Sequence, residues 1–331
     1  MAFYRHPSGR SIYVEDIQLN NHVPTHARLS VPLPGSKPSC PGLTPAAPLA
    51  SHAAPGEFSI RSIPDVMRWK LGWPVAARVM EKWFALPARE MLPREKSGEL
   101  KPTTMPADYV DTELIRWHWL NQFSRVAEAE QSLHSRLVNS AAMEELENKF
   151  HAQLIANARL REQSSRGSVL IRCRDVIEAH SLWQFQLADV LYGRPRDMDD
   201  LYGALGRFTV YAAVNIGQVQ SLGSNRYRLS VSEIAVYVRD TYEFIDSQYL
   251  GHWNFAGLGF NPTAAVNGLG IFGDNRREWR LWGFSIRHGF MQPVNNSDYR
   301  HYQRTHGRGG DYLLFSDIKR VPVNISVEVT L

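Results

Sequence analysis

A chain of 331 residues, 44% hydrophobic and 21% charged, has enough apolar mass to bury a substantial core, which excludes a wholly disordered protein and leaves one large domain or two smaller ones. Its formal charge of +4, without a lysine-rich run, gives no basis for nucleic-acid binding, so no nucleic-acid partner is expected. Two cysteines, Cys40 and Cys173, supply neither a disulfide framework nor a thiolate metal site.

The opening MAFYRHPSGRSIYVEDIQL lacks the apolar core of a signal peptide, and no run approaches membrane-spanning length, so export is expected only by a route that ignores Sec signals. Within residues 1–56, SIYVEDIQL reads as a short strand. The segment VPTHARLSVPLPGSKPSCPGLTPAAPLASHAAPGE then reads as a Pro/Ala-rich tether with a boundary near Gly56. FSIRSIPDVMRWKLGWPVAARVMEKWFALPA predicts two short helices, with Pro64 and Pro74 in first turns, Gly72 at the junction, and Met67, Leu71, Val75, Val79 and Trp83 as a core stripe. Residues 88–110 read as a loop. In TELIRWHWLNQF, Ile115, Trp117 and Trp119 alternate with Arg116 and His118, which predicts a strand.

Residues 125–160 predict two helices broken at Asn139 and Ser140, burying Leu133, Leu137, Met143, Leu146, Phe150 and Leu154. His134 and His151 lie too far apart along them for a paired metal site. VLIRCRDVIEAHSLWQFQLADVLYG reads as a strand and a short helix, and DMDDLYGALGRF as a short helix closed by Gly206. From there the period becomes two. RFTVYAAVNIGQVQ and RYRLSVSEIAVYVRD flank the turn SLGSN as an antiparallel hairpin, and WRLWGFSIRHGF, DYLLFSDIK and VNISVEVTL add strands. The expectation is an α+β fold in three regions: the arm 1–56, a mainly helical region 57–205, and an antiparallel β region 206–331 carrying the site. The helical first two thirds would pack on a twisted sheet or partly closed barrel.

Two polar constellations in the β region are candidates for chemistry. In IAVYVRDTYEF, Ile234, Val236, Val238, Asp240 and Tyr242 share one strand face, so a carboxylate extends an apolar row; desolvation would raise its pKa and suit it to proton transfer or metal binding. Asp240 and Glu243 are candidate acid, base or ligands of a divalent cation, with Tyr242 donating to an anionic oxygen. The alternative is a solvated turn opening at Asp240. In NNSDYRHYQRTHGRGGDYLLFSD, Arg300, His301, Arg304, His306 and Arg308 gather around Tyr299 and Tyr302 beside Gly307, Gly309 and Gly310, a composition suited to a phosphate group or simply to a basic surface loop. The uncharged GLGFNPTAAVNGLGIFGDN reads as a cover for an apolar ligand or as a loop packed on its own sheet.

The blocks IPDVMRWKLGWPVAARVMEKWF, DLYGALGRFTV, VYVRDTYEFIDSQYLGHWN and DYRHYQRTHGRGGDYLLFSD resemble an uncharacterised proteobacterial domain family encoded beside type VI secretion genes. That resemblance implies an antibacterial effector made in the cytoplasm, handed to a secretion carrier protein, active in the target periplasm and neutralised in its producer by a cognate immunity protein. A shorter motif is similar to that of colicin M type bacteriocins, which cleave the lipid-linked peptidoglycan precursor lipid II with a divalent cation. Asp240, Tyr242 and Glu243 match its first part, with Glu for the second Asp, while Tyr249 and Leu250 stand where His and Arg are expected. This likeness implies Asp240, Tyr242, Glu243, Arg300 and His306 as catalytic residues, Arg304 and Arg308 as phosphate ligands, and Mg²⁺ at Asp240 and Glu243. A non-enzymatic binding or pore-promoting module, or a secretion adaptor, is the alternative.

Overall fold

The computed structural model describes residues 2–5, 11–14, 57–190, 198–245, 248–259 and 291–331, with only the backbone considered for 2–5 and 11–14. The tether, most of the uncharged glycine-bearing stretch, and the strand expected in WRLWGFSIRHGF lie outside the described residues.

The predicted hairpin is the spine of the fold. Strand β6 (Phe208–Gly223) and β7 (Arg226–Tyr242) pair from Thr209↔Arg239 to Gly223↔Arg226. They reverse through Ser224 and Asn225, both at positive φ, as a two-residue hairpin turn requires. Along the other edge of β7, β11 (Tyr312–Ser316) and β12 (Lys319–Thr330) run end to end, from Tyr312↔Tyr242 to Thr330↔Arg226. The far edge of β6 takes β4 (Val169–Arg172) and β5 (Gln184–Val190). Strand β3 (Val110–Ile115) joins β11 in parallel, and the β1 (Ala2–Arg5)–β2 (Ser11–Val14) hairpin meets β12 at Ile325↔Val14. Register shifts at Val214–Gly217 and Pro322–Ile325 add local bend and twist to the long strands. The outcome is a curled, mixed half-barrel sheet. A second sheet holds β8 (Tyr249–Asn254) between β9 (Gly257–Gly259) and β10 (Gln292–Asn295).

The α+β class agrees with expectation, but the partition into a helical front and an antiparallel back does not. Strands β3, β4 and β5 precede residue 206, the β3–β11 pair is parallel, and a long helix lies in the last third. Helices interleave with strands because each must cover one side of a sheet whose strands come from the whole chain. The first helical block forms as predicted: α1 (Ile63–Val66) runs into a π-helical turn at Met67–Leu71, Gly72 closes it in the left-handed region, and α2 (Pro74–Ala85) starts on its proline. A short α3 (Pro93–Lys96) follows.

TELIRWHWLNQF differs from expectation. The strand stops at Ile115, and Trp117–Leu120 makes a single helical turn, α4. Asp317 caps that turn from afar, accepting from the Trp117 N–H at 2.7 Å, while the two indoles donate to the Val236 carbonyl (2.9 Å) and to Asp200 (3.0 Å). These distant partners outweigh the local alternation. Helices α5 (Ser124–His134) and α6 (Ser140–Ala156) break where expected, because Asn139 caps α6 by accepting from the Ala142 N–H at 2.9 Å. With α7 (Ala158–Arg166) and α8 (Val176–Trp183) they cover β4–β7 and β12. Helix α9 (Asp200–Leu205) packs on α2 so closely that a Cβ at Gly203 would lie 2.9 Å from that of Ala76.

Candidate functional site

A cleft of about 320 Å³ opens where β7 runs out of the sheet. Its walls come from the π-helical turn, α2, α9, the end of β7, β8 and the helix α10 (Asn296–His306). Most of the lining is apolar, including Met67, Trp73, Met80, Leu250 and Trp253. Asp240, Tyr242 and Glu243 line it too, so the predicted acidic constellation faces one cavity. Arg207 is the single cation among the described lining residues.

The chemistry of the wall follows from burial. Asp240 lies on β7 opposite Leu314, ringed by protein, and desolvation pushes its carboxyl well above the usual carboxylate range; the Thr241 N–H and Arg239 only partly offset this, and Glu243 adds to it. Tyr242 is raised as well, by burial first and then by Asp240. Burial thus shifts both groups toward their protonated forms in a largely apolar wall. Glu243 is different. Its carboxylate is ion-paired with Lys96 and accepts from Thr241 Oγ1 at 3.3 Å. Beside them, Phe244 stacks flat on Tyr299 with ring centroids 3.7 Å apart, which holds α10 against the strand end.

The basic constellation is built otherwise than expected. NNSDYRHYQRTH is α10, started by a capping box between Asn295 and Asp298 and ended by Gly307 in the left-handed region. Arg300 turns inward and holds Asp311 with two hydrogen bonds of 2.8 and 2.7 Å. Asp311 is fully buried and also accepts from Trp83 Nε1 and the Met91 N–H, both at 3.1 Å. Arg304, His306 and Arg308 are exposed, and His306 lies on the Tyr302 ring, centroids 4.5 Å apart. None of the four basic residues lines the cleft. The glycines serve packing: a Cβ at Gly309 would lie 2.4 Å from the Trp83 ring, and one at Gly310 2.6 Å from the Pro87 carbonyl oxygen.

Mg²⁺, implied by the colicin M likeness, does not fit this donor set. Glu243 is committed to Lys96, and among the described residues no three or more His, Cys, Asp or Glu side chains are grouped to hold a metal ion.

Sequence reading missed Asp200, whose buried carboxylate accepts from the N–H groups of Val75 (3.1 Å) and Ala76 (2.8 Å) as well as from Trp119. It thereby caps α2 from another helix and sets the angle of the cleft's helical wall. The only local signal is an acidic pair, Asp199–Asp200, at a helix start, where Asp199 caps its own helix by accepting from the Tyr202 N–H at 2.9 Å.

Fold and cleft together define an α+β protein on a curled half-barrel sheet, with a largely apolar cavity at the end of its central hairpin. Residues 58–331 match the family of unknown function DUF6402, and the chain belongs to that family. No curated protein and no solved structure matches the chain.

Proposed function

We propose that the protein works by taking an amphipathic ligand into the cleft, with its apolar part against Met67, Trp73 and Met80 and its polar head at Asp240 and Tyr242. The observation that carries this is a carboxyl and a phenol side by side in the wall of a largely apolar cleft, both shifted by burial toward their protonated forms. In its fuller form, which draws on the DTYEF motif, the ligand is a lipid-linked phosphate such as lipid II. The protein is then an antibacterial type VI effector acting in the target periplasm, with an immunity protein in its producer. As water attacks phosphorus and the P–O bond to the leaving group breaks, the Asp240 proton goes to the departing oxygen and a proton of the attacking water returns to the Asp240 carboxylate. Arg207 supplies positive charge in place of the α10 arginines, which lie outside the cleft.

A second reading, a non-enzymatic binding module, pore-promoting module or secretion adaptor, is favoured by one observation. Glu243 and Arg300 are both committed to buried partners, so a base and a phosphate clamp are missing from the reading of the cleft.

The two separate experimentally. Expressed in a bacterium, the wild type is expected to be more harmful in the periplasm than in the cytosol. Asp240→Asn is expected to lower lipid II hydrolysis by roughly two orders of magnitude without lowering the melting temperature. Lipid II bound but not cleaved supports the binding module. Full toxicity and hydrolysis in a normally folded Asp240→Asn protein would remove the cleft from the mechanism.

A further inference from the structure

A second cavity, of about 370 Å³, lies beside β4 and shares no lining residue with the cleft. All four residues of β4 (Val169–Arg172) line it. Their side chains alternate between the two faces of the sheet, and such residues border one cavity together only where it runs along the edge of the strand. That edge is open. On one side β4 pairs with β6, from Val169↔Val219 to Arg172↔Ile216, and it meets no other strand among the described residues. Its outward N–H and C=O groups form a template for one more strand.

Charge decides what the groove fits. Arg159, at the start of α7, and Arg172, on β4 itself, line it, and no Asp or Glu is among the described lining residues. The acids nearby in the chain are taken, Glu162 by Arg166 and Glu178 by Arg174, and Arg161 is spent on the Leu154 and Ile155 carbonyls at the end of α6. Neither the Arg159 nor the Arg172 guanidinium has an acceptor or an ion-pair partner among the described residues. Trp183 adds an independent observation. Trp83, Trp117, Trp119 and Trp253 each donate the indole N–H to a protein acceptor. Trp183 lines the groove, is 4% exposed, and has no acceptor among the described residues. A buried indole normally finds a partner, so this donor is left for whatever enters.

We infer that the groove binds an extended acidic segment of a partner protein, which adds to β4 as a further strand. Backbone groups of the segment pair with the open edge, its carboxylates meet Arg159 and Arg172, and an apolar side chain between them rests on Leu160, Leu182 and Trp183. The open edge selects a peptide: a free anion would engage the guanidiniums and leave the strand's backbone unpaired. This site is independent of the ligand taken by the cleft.

Binding of short labelled peptides to the full chain tests it, read by fluorescence polarisation and by amide hydrogen exchange at residues 169–172. The probe alternates glutamate with leucine. One control carries lysine for glutamate, and another is methylated at its backbone nitrogens, which removes strand pairing and keeps the side chains. The probe is expected to bind roughly tenfold or more tightly than either control and to slow exchange across β4. Arg159→Gln with Arg172→Gln is expected to weaken it by roughly tenfold or more at an unchanged melting temperature, since both side chains are exposed. A probe that does not bind, or that binds the double variant as well as wild type, would overturn the inference. So would equal binding of the methylated peptide, or equal protection of β4 by free glutamate, either of which would reduce the groove to a site for small anions. Self-association of the wild type that the double variant lacks would also overturn it, by assigning the edge to a second copy of the chain.

Discussion

Replacing Arg300 by methionine should destabilise the protein rather than disarm it. The Arg300 side chain is 12% exposed and Asp311 is 0% exposed, and two charge-assisted hydrogen bonds join them. Methionine keeps most of the aliphatic volume but leaves a buried carboxylate with only Trp83 Nε1 and the Met91 N–H. Removing one partner of a buried pair costs about 3–5 kcal/mol, because the remaining charge is not resolvated. With an unfolding entropy of about 2.1 cal/mol/K per residue over ~270 residues, that is a fall in Tm of about 5–9 °C. Thermal and urea unfolding of the purified variant measure it, with Arg304→Ala and Arg308→Ala as exposed controls expected to lie within about 0.5 kcal/mol of wild type. If Arg300→Met melts with the controls while lipid II binding or hydrolysis collapses, Arg300 serves the ligand and the structural assignment is wrong.

Asp200→Ala should cost about 2–4 kcal/mol in urea unfolding, because it strips two N–H groups at the start of α2 and the Trp119 indole of their acceptor; a loss below half a kcal/mol would mean that α2 is capped by other groups. His180 tests the sign of a buried histidine. Burial lowers its pKa to about 3, with Arg239 and Lys149 adding to the effect, and its Nδ1 is 2.9 Å from the Tyr237 hydroxyl. A histidine held neutral stabilises fully above its unfolded pKa near 6.5 and loses that contribution as pH falls toward 3, about 2 kcal/mol by pH 5. His180→Phe, which keeps a ring against Tyr211 and Phe315, should therefore flatten the decline in Tm between pH 7 and pH 5; an unchanged slope would place the titration on other groups.

What could be read in the sequence is what local chemistry decides. The β6–β7 hairpin was legible because alternation and the turn residues Gly223 and Asn225 are properties of neighbouring residues, and the break before α6 because Asn139 caps a helix by accepting from an N–H three residues on. The single helical turn at Trp117 was not, since its cap is Asp317 and its indole's acceptor is Val236, neither visible from within TELIRWHWLNQF. Three strands ahead of residue 206 were folded into a sheet by pairings with β6 and β11, and the expected two-layer partition missed this because register between distant strands leaves no local trace.

The same distinction explains why one candidate constellation came together and the other dispersed. Asp240 and Tyr242 share a face by the period of a strand, and a strand that leaves its sheet carries both into whatever cavity forms there, so their company is guaranteed by two residues of spacing. Arg300, Arg304, His306 and Arg308 are close in sequence but belong to a helix and its glycine cap: Arg300 and Arg304 lie one turn apart on the same face, His306 on another side, and Arg308 beyond Gly307. Arg300 reaches the buried Asp311, eleven residues later, while Arg304, one turn nearer the helix end, His306 and Arg308 are exposed. A cluster of arginines between tyrosines is thus ambiguous until the period is known. If NNSDYRHYQRTH were extended, alternate residues would share a face; as a helix it spends its one inward arginine on the core, and the cleft is left to the acid and the phenol.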